Sequence, residues 1–201
     1  ALAASLAEAV AADDSVDAPA ALLALKADGE TIEEKVKAAI AKLGENVVVK
    51  RTARLGAAGG GTVGGYVHAG GKLGVLVALE TGASGGAVEQ VAKDVAMHVA
   101  AADPSPVAVG RDGVDAALVE SERGIYRRQA EQEGKPEKVI DRIVEGKVNK
   151  FLQEVVLLEQ AFVKDPDRSI ADLVADVSKE AGGEITVVGF QRFKLGEARE
   201  G

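Results

Sequence analysis

The stretch that decides the fold is Thr62-Val-Gly-Gly-Tyr-Val-His-Ala-Gly-Gly-Lys-Leu-Gly-Val-Leu-Val-Ala-Leu-Glu80. Residues 62–69 and 72–80 are predicted to be strands, because both runs are rich in β-branched and aliphatic residues. They flank Gly70-Gly71, a dipeptide that suits a tight hairpin turn because glycine readily adopts a positive φ. Alternation places large apolar side chains on one face of the second strand. These are Leu73, Val75, Val77 and Leu79.

The opposite face of that strand carries Gly74 and Ala78, and such small residues predict a helix lying close to the sheet. Residues 86–102 form the next predicted helix, because their apolar residues fall on one stripe at about 100° per residue. The stripe consists of Val88, Val91, Ala92, Val95 and Val99. Met97 points away from this stripe, and His98 lies at its edge.

The first part of the chain is predicted to be mainly helical. Residues 1–12 form an alanine-rich helix, and Thr31 begins a capping box that opens another helix to about Leu43. Gly44 follows, where a left-handed residue would end that helix. The β-branched run 47–55 then predicts a strand. Its exposed face would consist of Lys50, Thr52 and Arg54.

Two charged segments on either side of Gly134-Lys-Pro136 predict an antiparallel helical hairpin that projects from the core. Helices over about 115–134 and 137–152 would meet along a sparse apolar seam. That seam would consist of Leu118, Ile125, Val139, Ile143, Val148, Phe151 and Leu152. After the hairpin we expect a last helix, capped by Ser169, and a closing strand over 184–194.

The element order predicts an α+β fold, with small antiparallel sheets packed with helices and a protruding antiparallel helical hairpin. We expect four parts. Residues 1–56 would end a first core subdomain, 57–112 would form a second, 113–152 the hairpin, and 153–201 the C-terminal helix and closing strand.

Composition excludes several classes of function. The 24 Lys and Arg residues against 32 Asp and Glu give a net charge of −8, which argues against binding a phosphate backbone. Aromatic residues are only 3%, too few for a platform that stacks single-stranded bases. The absence of cysteine removes thiol nucleophiles and thiolate metal sites. No apolar run approaches the roughly 20 residues of a membrane span. We expect protein partners, no direct nucleic acid, no membrane, and a cytoplasmic or organelle-matrix location.

Chemical motifs are few. Gly59-Gly-Gly-Thr-Val-Gly64 matches the G-x-G-x-x-G pattern, but a dinucleotide site needs a helix at the last glycine, and a strand is predicted here. A flexible connection is the favoured interpretation, with direct nucleotide binding by an enzyme as an alternative. Asp94 and His98 could bind a metal from one helix face, yet only His68 remains as a further nitrogen donor. We expect no enzyme chemistry, no cofactor and no metal.

Three short stretches are candidate contact sites on sequence grounds alone. The turn 43–46 joins a helix to a strand and should be exposed. Tyr66 and His68 share a strand face beside the glycine turn, where a protruding imidazole could contact a partner. Met97, on the exposed side of its helix beside His98, suggests a second surface. Ordinary capping and surface roles remain open for all three.

Six runs of sequence carry a family resemblance. They are Ala41-Lys-Leu-Gly-Glu-Asn-Val-Val-Val-Lys-Arg51, Gly65-Tyr-Val-His-Ala-Gly-Gly-Lys-Leu-Gly-Val-Leu-Val77, Val95-Ala-Met-His-Val-Ala-Ala101, Ile143-Val-Glu-Gly-Lys-Val-Asn-Lys-Phe151, Leu158-Glu-Gln-Ala-Phe-Val163 and Val188-Gly-Phe-Gln-Arg-Phe-Lys-Leu-Gly-Glu197. In this order they resemble bacterial elongation factor Ts, over nearly the whole chain from about residue 31. Any one run is weak, but together they are highly specific.

The resemblance implies a guanine nucleotide exchange factor that binds elongation factor Tu and speeds GDP release without covalent chemistry. It also implies partner contacts at Leu43, Gly44, His68, Ala69, Gly70, Met97 and His98. The first two match a turn that meets the partner's nucleotide domain. His68 matches a tip histidine that meets its third domain, with Ala69 and Gly70 beside it, and the last two match a helix beneath that tip.

The sequence departs from the family at its start. The family begins with a small ubiquitin-associated-like helical domain and a T-D-F-V segment, and neither occurs here; residues 1–12 resemble the helix that follows. We therefore expect a fragment that binds its partner with reduced exchange activity. It could act as a homodimer or in a two-plus-two complex with elongation factor Tu. The alternative is an assembly subunit that self-associates through the helical hairpin.

Overall fold

The computed structural model describes residues 2–197 and divides between Arg54 and Leu55 into two units. The four-part division expected from the sequence stays a prediction. The first unit contains, in chain order, α1 (Leu2–Ala12), α2 (Pro19–Ala24), β1 (Lys26–Ala27), β2 (Glu30–Thr31) and α3 (Ile32–Leu43). The short helix α2 and the two-residue strands β1 and β2 were not predicted.

The predicted capping box of α3 is confirmed. Thr31 Oγ1 accepts a bond from the Glu34 backbone N–H at 3.2 Å, and the Glu34 carboxylate accepts one from the Thr31 N–H at 2.7 Å. These two bonds satisfy backbone donors that the first helical turn leaves without partners. Gly44 ends the helix with φ 70°, in the left-handed region that favours glycine.

Residues 47–55 form no strand, so that expectation is wrong. A strand requires a hydrogen-bonded neighbour, and β1 and β2 pair only with each other. The alternation still serves packing, because Val47 and Val49 lie against the core of this unit. That core consists of Val10, Val16, Leu22, Ile32 and Val36. Lys50 is exposed as expected, whereas Thr52 is half-buried.

The second unit is an α+β fold, as predicted. Its elements are β3 (Gly61–Val67), β4 (Leu73–Thr81), α4 (Gly86–Ala101), α5 (Ala116–Gln132), α6 (Glu137–Val155), β5 (Ala161–Phe162), β6 (Asp165–Ser169), α7 (Ile170–Ala181) and β7 (Ile185–Lys194). The main sheet has the antiparallel order β3-β4-β7, and β5 and β6 form a small hairpin that was not predicted. Ser169 caps α7 through a capping box, as predicted. In the described range, no helix is long and apolar enough to cross a membrane.

Helix α4 packs on the face of β4 that carries Val75, Val77 and Leu79, not on the thin face as we expected. The large side chains of this face and the valine stripe of α4 bury more apolar surface against each other than small residues could. The residue that lets α4 lie close to the sheet is instead Gly64 of β3, which pairs with Val77. A Cβ at Gly64 would lie 2.5 Å from the backbone carbonyl carbon of Ala92.

Helices α5 and α6 form the predicted antiparallel hairpin, with an apolar cluster separate from the main core. The seam differs from the predicted one. Its buried residues are Ala130, Ile140, Val144 and Val148, with Val119, Tyr126, Ile143 and Leu152 partly buried beside them. Leu118 lies at the hairpin base with Val114 and Val156, and Val139 is 40% exposed. The apolar residues of α5 occur as adjacent pairs, so periodicity alone does not determine which member faces α6.

Because the hairpin has its own core, removing it should leave the sheet folded. Arg123 pairs with Glu145, and Arg127 with Asp141, so residues 119 and 149 lie at about the same level of the hairpin. We expect that replacing residues 120–149 with a short Gly-Ser linker shifts the Tm of the remainder by no more than about 5 °C. Circular dichroism with thermal melting measures this, and Val91→Asp in the main core serves as the unfolded control. Global unfolding of the shortened chain would place the hairpin within the main core.

Candidate functional site

The turn between β3 and β4 is fixed by backbone hydrogen bonds. Strand β3 ends at Val67 and β4 begins at Leu73, so His68 begins the turn and does not end the strand. The His68 N–H donates to the Leu73 carbonyl at 2.9 Å, and the Gly71 N–H donates to the His68 carbonyl at 2.9 Å. Gly70 and Gly71 have φ of 89° and 69°, which glycine adopts without strain. The tip therefore has one defined backbone conformation.

The tip presents an imidazole among small residues. His68, Ala69 and Gly70 are all exposed, as expected. The Tyr66 hydroxyl lies 3.2 Å from His68 Nδ1, and the two ring centroids are 6.2 Å apart. Val67, between the two rings in sequence, is 70% exposed. This arrangement offers a polar ring and an apolar side chain to a partner.

Leu43 and Gly44 belong to the first unit and form the C-terminal end of α3. The Gly44 N–H donates to the Ile40 carbonyl at 2.9 Å, so the ordinary capping role is real. Leu43 is 63% exposed, so its aliphatic side chain is accessible at the end of the helix. The pair is therefore both a helix cap and an accessible apolar contact point.

The expectation of a surface position is wrong for His98. Its side chain is 1% exposed, and its ring lies 6.2 Å from that of Phe162. His98 Nδ1 accepts a hydrogen bond from the Val163 N–H at 3.3 Å, and Nε2 lies 2.9 Å from Gln160 Oε1. Met97 is half-buried, so its partner contact stays a prediction. The β5 segment covers the edge of the valine stripe, and no local pattern in α4 indicates that cover.

Gln160 completes a buried polar network that sequence reasoning missed. Its Nε2 donates to the carbonyls of Pro104 at 2.9 Å and of Glu154 at 2.7 Å. The network joins α4 to the turn that follows it, to the end of α6 and to β5. Burial lowers the pKa of His98 from its ordinary value of 6.5, and the bond to Gln160 opposes that shift. The partners span about sixty residues of sequence, so spacing carries no signal for them.

The glycine motif has a packing explanation. Strand β3 begins at Gly61, so the helix that a dinucleotide site requires is a strand here. A Cβ at Gly61 would lie 2.0 Å from the Leu79 carbonyl oxygen, and φ is 143°. Gly64, the last glycine of the motif, admits the backbone of α4. A glycine inside a strand is a known sign of close backbone approach, and this signal was available in the sequence.

Asp94 and His98, the two residues considered as metal ligands, each bind another side chain. Asp94 forms an ion pair with Lys164, in which Oδ1 accepts a hydrogen bond from Nζ at 2.6 Å, and His98 is bonded within the buried network. Between residues 2 and 197, no three His, Asp or Glu side chains lie close enough together to hold a metal ion. The predicted contact residues that the structure exposes lie at the β3–β4 tip and at the end of α3.

Comparison with known proteins shows the family of this chain. The family model described as Elongation factor TS matches residues 1–197. This chain belongs to the elongation factor Ts family. Elongation factor Ts of Clostridium perfringens (strain ATCC 13124) is 44% identical over 190 residues, covering 94% of this chain and 62% of the relative. That of Chlorobium phaeobacteroides is 44% identical over 190 residues, covering 92% and 65%.

A third elongation factor Ts, from Caulobacter vibrioides, is 41% identical over 197 residues, covering 96% of this chain and 62% of the relative. The resemblance found in the sequence is therefore confirmed at the level of the family. The chain spans about 62% of the length of the first curated relatives it matches.

Proposed function

We propose that this chain binds elongation factor Tu and promotes release of its GDP during translation elongation. The observation that carries the proposal is the β3–β4 tip, where His68 is exposed on a turn whose backbone is fixed at both ends. Membership of the elongation factor Ts family supports the choice of partner. The accessible Leu43 and Gly44 supply a second contact point.

The mechanism needs binding and no covalent step, so we propose a factor that is not an enzyme. The chain would bind a conformation of the partner in which the nucleotide contacts are loosened better than it binds the GDP-bound conformation. Thermodynamic linkage then requires that GDP and the chain weaken each other's affinity for the partner by the same factor. The difference between the chain's affinities for these two conformations of the partner is what promotes GDP release.

Partner binding extends to assembly and location. We propose that the chain acts as a homodimer or in a two-plus-two complex with elongation factor Tu, in the cytoplasm or an organelle matrix. Self-association through the α5–α6 hairpin is the second candidate. It is favoured by the hairpin's projecting, separately packed structure, and it would give oligomers of this chain without any partner.

The contact role of His68 is testable by one substitution. His68→Ala should change the free energy of unfolding by no more than about 0.5 kcal/mol, because the side chain is exposed. It should weaken binding to elongation factor Tu by about 5- to 30-fold, the scale of a moderate interface residue. Calorimetric titration beside a melting curve measures both. Glu180→Ala, exposed on α7, is the matched surface control and should leave affinity unchanged.

Exchange is tested by stopped-flow release of a fluorescent GDP analogue from elongation factor Tu. Residues 1–201 alone should accelerate release, but by less than a full-length elongation factor Ts. An unchanged release rate together with no measurable complex would overturn the proposed function. Full activity from residues 1–201 would overturn the expectation of weakened exchange while leaving the binding role intact.

A further inference from the structure

We propose that Tyr66 is a positioning residue for His68, which it holds as an outward-pointing hydrogen-bond donor. In this arrangement the Tyr66 hydroxyl, 3.2 Å from His68 Nδ1, would donate to that nitrogen, and the proton of the neutral imidazole would lie on Nε2, available to the partner. The group recognised would then be an acceptor, either a backbone carbonyl or a carboxylate. This inference rests on the proposed function and names the chemistry of its contact.

Tyr66 is well placed for this role because one side of it is anchored. It is half-buried, packs against the main core, and lies opposite Val75 in the sheet. Its hydroxyl nevertheless reaches the surface, 3.2 Å from His68 Nδ1. The two rings are tilted by 57°, so they meet through this polar contact and are not stacked. The packed Tyr66 ring thus holds its hydroxyl beside the exposed His68 imidazole.

The backbone of His68 is fixed independently of its side chain. Its N–H is bonded to the Leu73 carbonyl and its carbonyl to the Gly71 N–H. With the backbone set by the turn and Nδ1 set by Tyr66, the imidazole has little rotational freedom left. Ordering such a side chain before binding removes an entropy loss that association otherwise incurs. We expect this pre-ordering to contribute about three- to tenfold in affinity.

The 3.2 Å contact allows either direction, because a phenol oxygen can donate to a bare Nδ1 or accept from an Nδ1–H. The proposed direction uses the phenol as donor and the basic imidazole nitrogen as acceptor, which are the stronger roles of the two groups. A neutral imidazole has one N–H and one acceptor nitrogen, and the bond made by one nitrogen determines the state of the other. A phenol hydroxyl has a proton to donate, and Nδ1 without a proton has a lone pair to accept it. Nε2 then carries the hydrogen, on an imidazole that is exposed at the tip.

The tautomer is measured in the free protein. Long-range proton–nitrogen spectra at alkaline pH, where imidazoles are neutral, distinguish the two tautomers, and the chain has only two histidines. His98 is an internal reference, because its Nδ1 accepts from the Val163 N–H. We expect His68 in the Nε2–H form, and Tyr66→Phe to give a mixture of both forms. Tyr126→Phe, at the only other tyrosine, should leave the His68 spectrum unchanged.

A double-mutant cycle tests whether Tyr66 contributes to partner binding through His68. Tyr66→Phe should weaken binding to elongation factor Tu by about three- to tenfold in the wild-type chain and by nothing further in His68→Ala. An additive effect would show that Tyr66 acts through packing, and would overturn the proposal. So would an Nδ1–H tautomer of His68 in the wild type. If the wild-type chain binds no elongation factor Tu, the proposed function fails and the recognition role with it, whereas the spectrum still decides the Tyr66–His68 bond.

Discussion

Replacing Gly64 with alanine is expected to lower the free energy of unfolding by about 3 kcal/mol or more. The added Cβ would lie 2.5 Å from the Ala92 carbonyl carbon and 2.6 Å from its Cβ. Those neighbours are the backbone and first side-chain atom of a helix, so neither can rotate away. Overpacking of a core costs about 1–3 kcal/mol when flexible side chains can adjust, and here the whole of α4 must move.

The neighbouring Gly65 supplies a matched control in the same strand. A Cβ there would meet the flexible end of the Leu76 side chain at 3.5 Å, which is an ordinary contact. Gly65→Ala should therefore change stability by less than about 1 kcal/mol. Urea unfolding of both variants, with equal m-values, measures the difference. Equal stabilities would mean that α4 does not pack on Gly64 as described.

The second large effect concerns His98. His98→Leu should lower the free energy of unfolding by about 2–4 kcal/mol, because it leaves the buried Gln160 Oε1 and the part-buried Val163 N–H without these partners. Leucine keeps much of the volume, so cavity formation contributes little. His68→Ala, at the exposed tip, is the matched histidine control and should stay within about 0.5 kcal/mol.

The same residue should make stability depend on pH in one direction. Burial lowers the folded-state pKa of His98 below its ordinary value of 6.5, so the unfolded chain binds the proton first as pH falls. Its contribution to stability is fully present above pH 6.5 and is lost as pH falls through that value towards the folded-state pKa. The slope cannot exceed about 1.4 kcal/mol per pH unit for one group.

Unfolding free energies measured across this pH range in wild type, His98→Leu and His68→Ala separate the two histidines. We expect the His98 variant to lose the slope and the His68 variant to keep it. Identical slopes in wild type and His98→Leu would show that His98 is not the group that titrates.

Local rules predicted what local chemistry controls. The caps at Thr31 and Ser169, the left-handed Gly44 and the turn at Gly70-Gly71 each depend on residues within a few positions, and all were confirmed. These features need no knowledge of the tertiary structure. They located the β3–β4 turn correctly because a turn is defined by its own residues.

The failures involve partners that lie far away in sequence. His98 appeared to lie at the edge of a stripe because the segment that buries it begins more than sixty residues later. The run 47–55 has the composition of a strand but no neighbour with which to pair. In the hairpin, apolar residues of α5 occur side by side, such as Leu118 and Val119. The sequence of α5 alone does not show which of the two faces α6.

The separate apolar seam of the helical hairpin has a consequence for how this molecule opens. A segment that buries its own side chains, apart from the main core, can exchange its amide protons by local unfolding while the sheet stays closed. The chain's two tyrosines fall on opposite sides of that division, Tyr66 on the sheet and Tyr126 in the hairpin. Each ring thus reports on a different cooperative unit, and one global unfolding temperature would average over both.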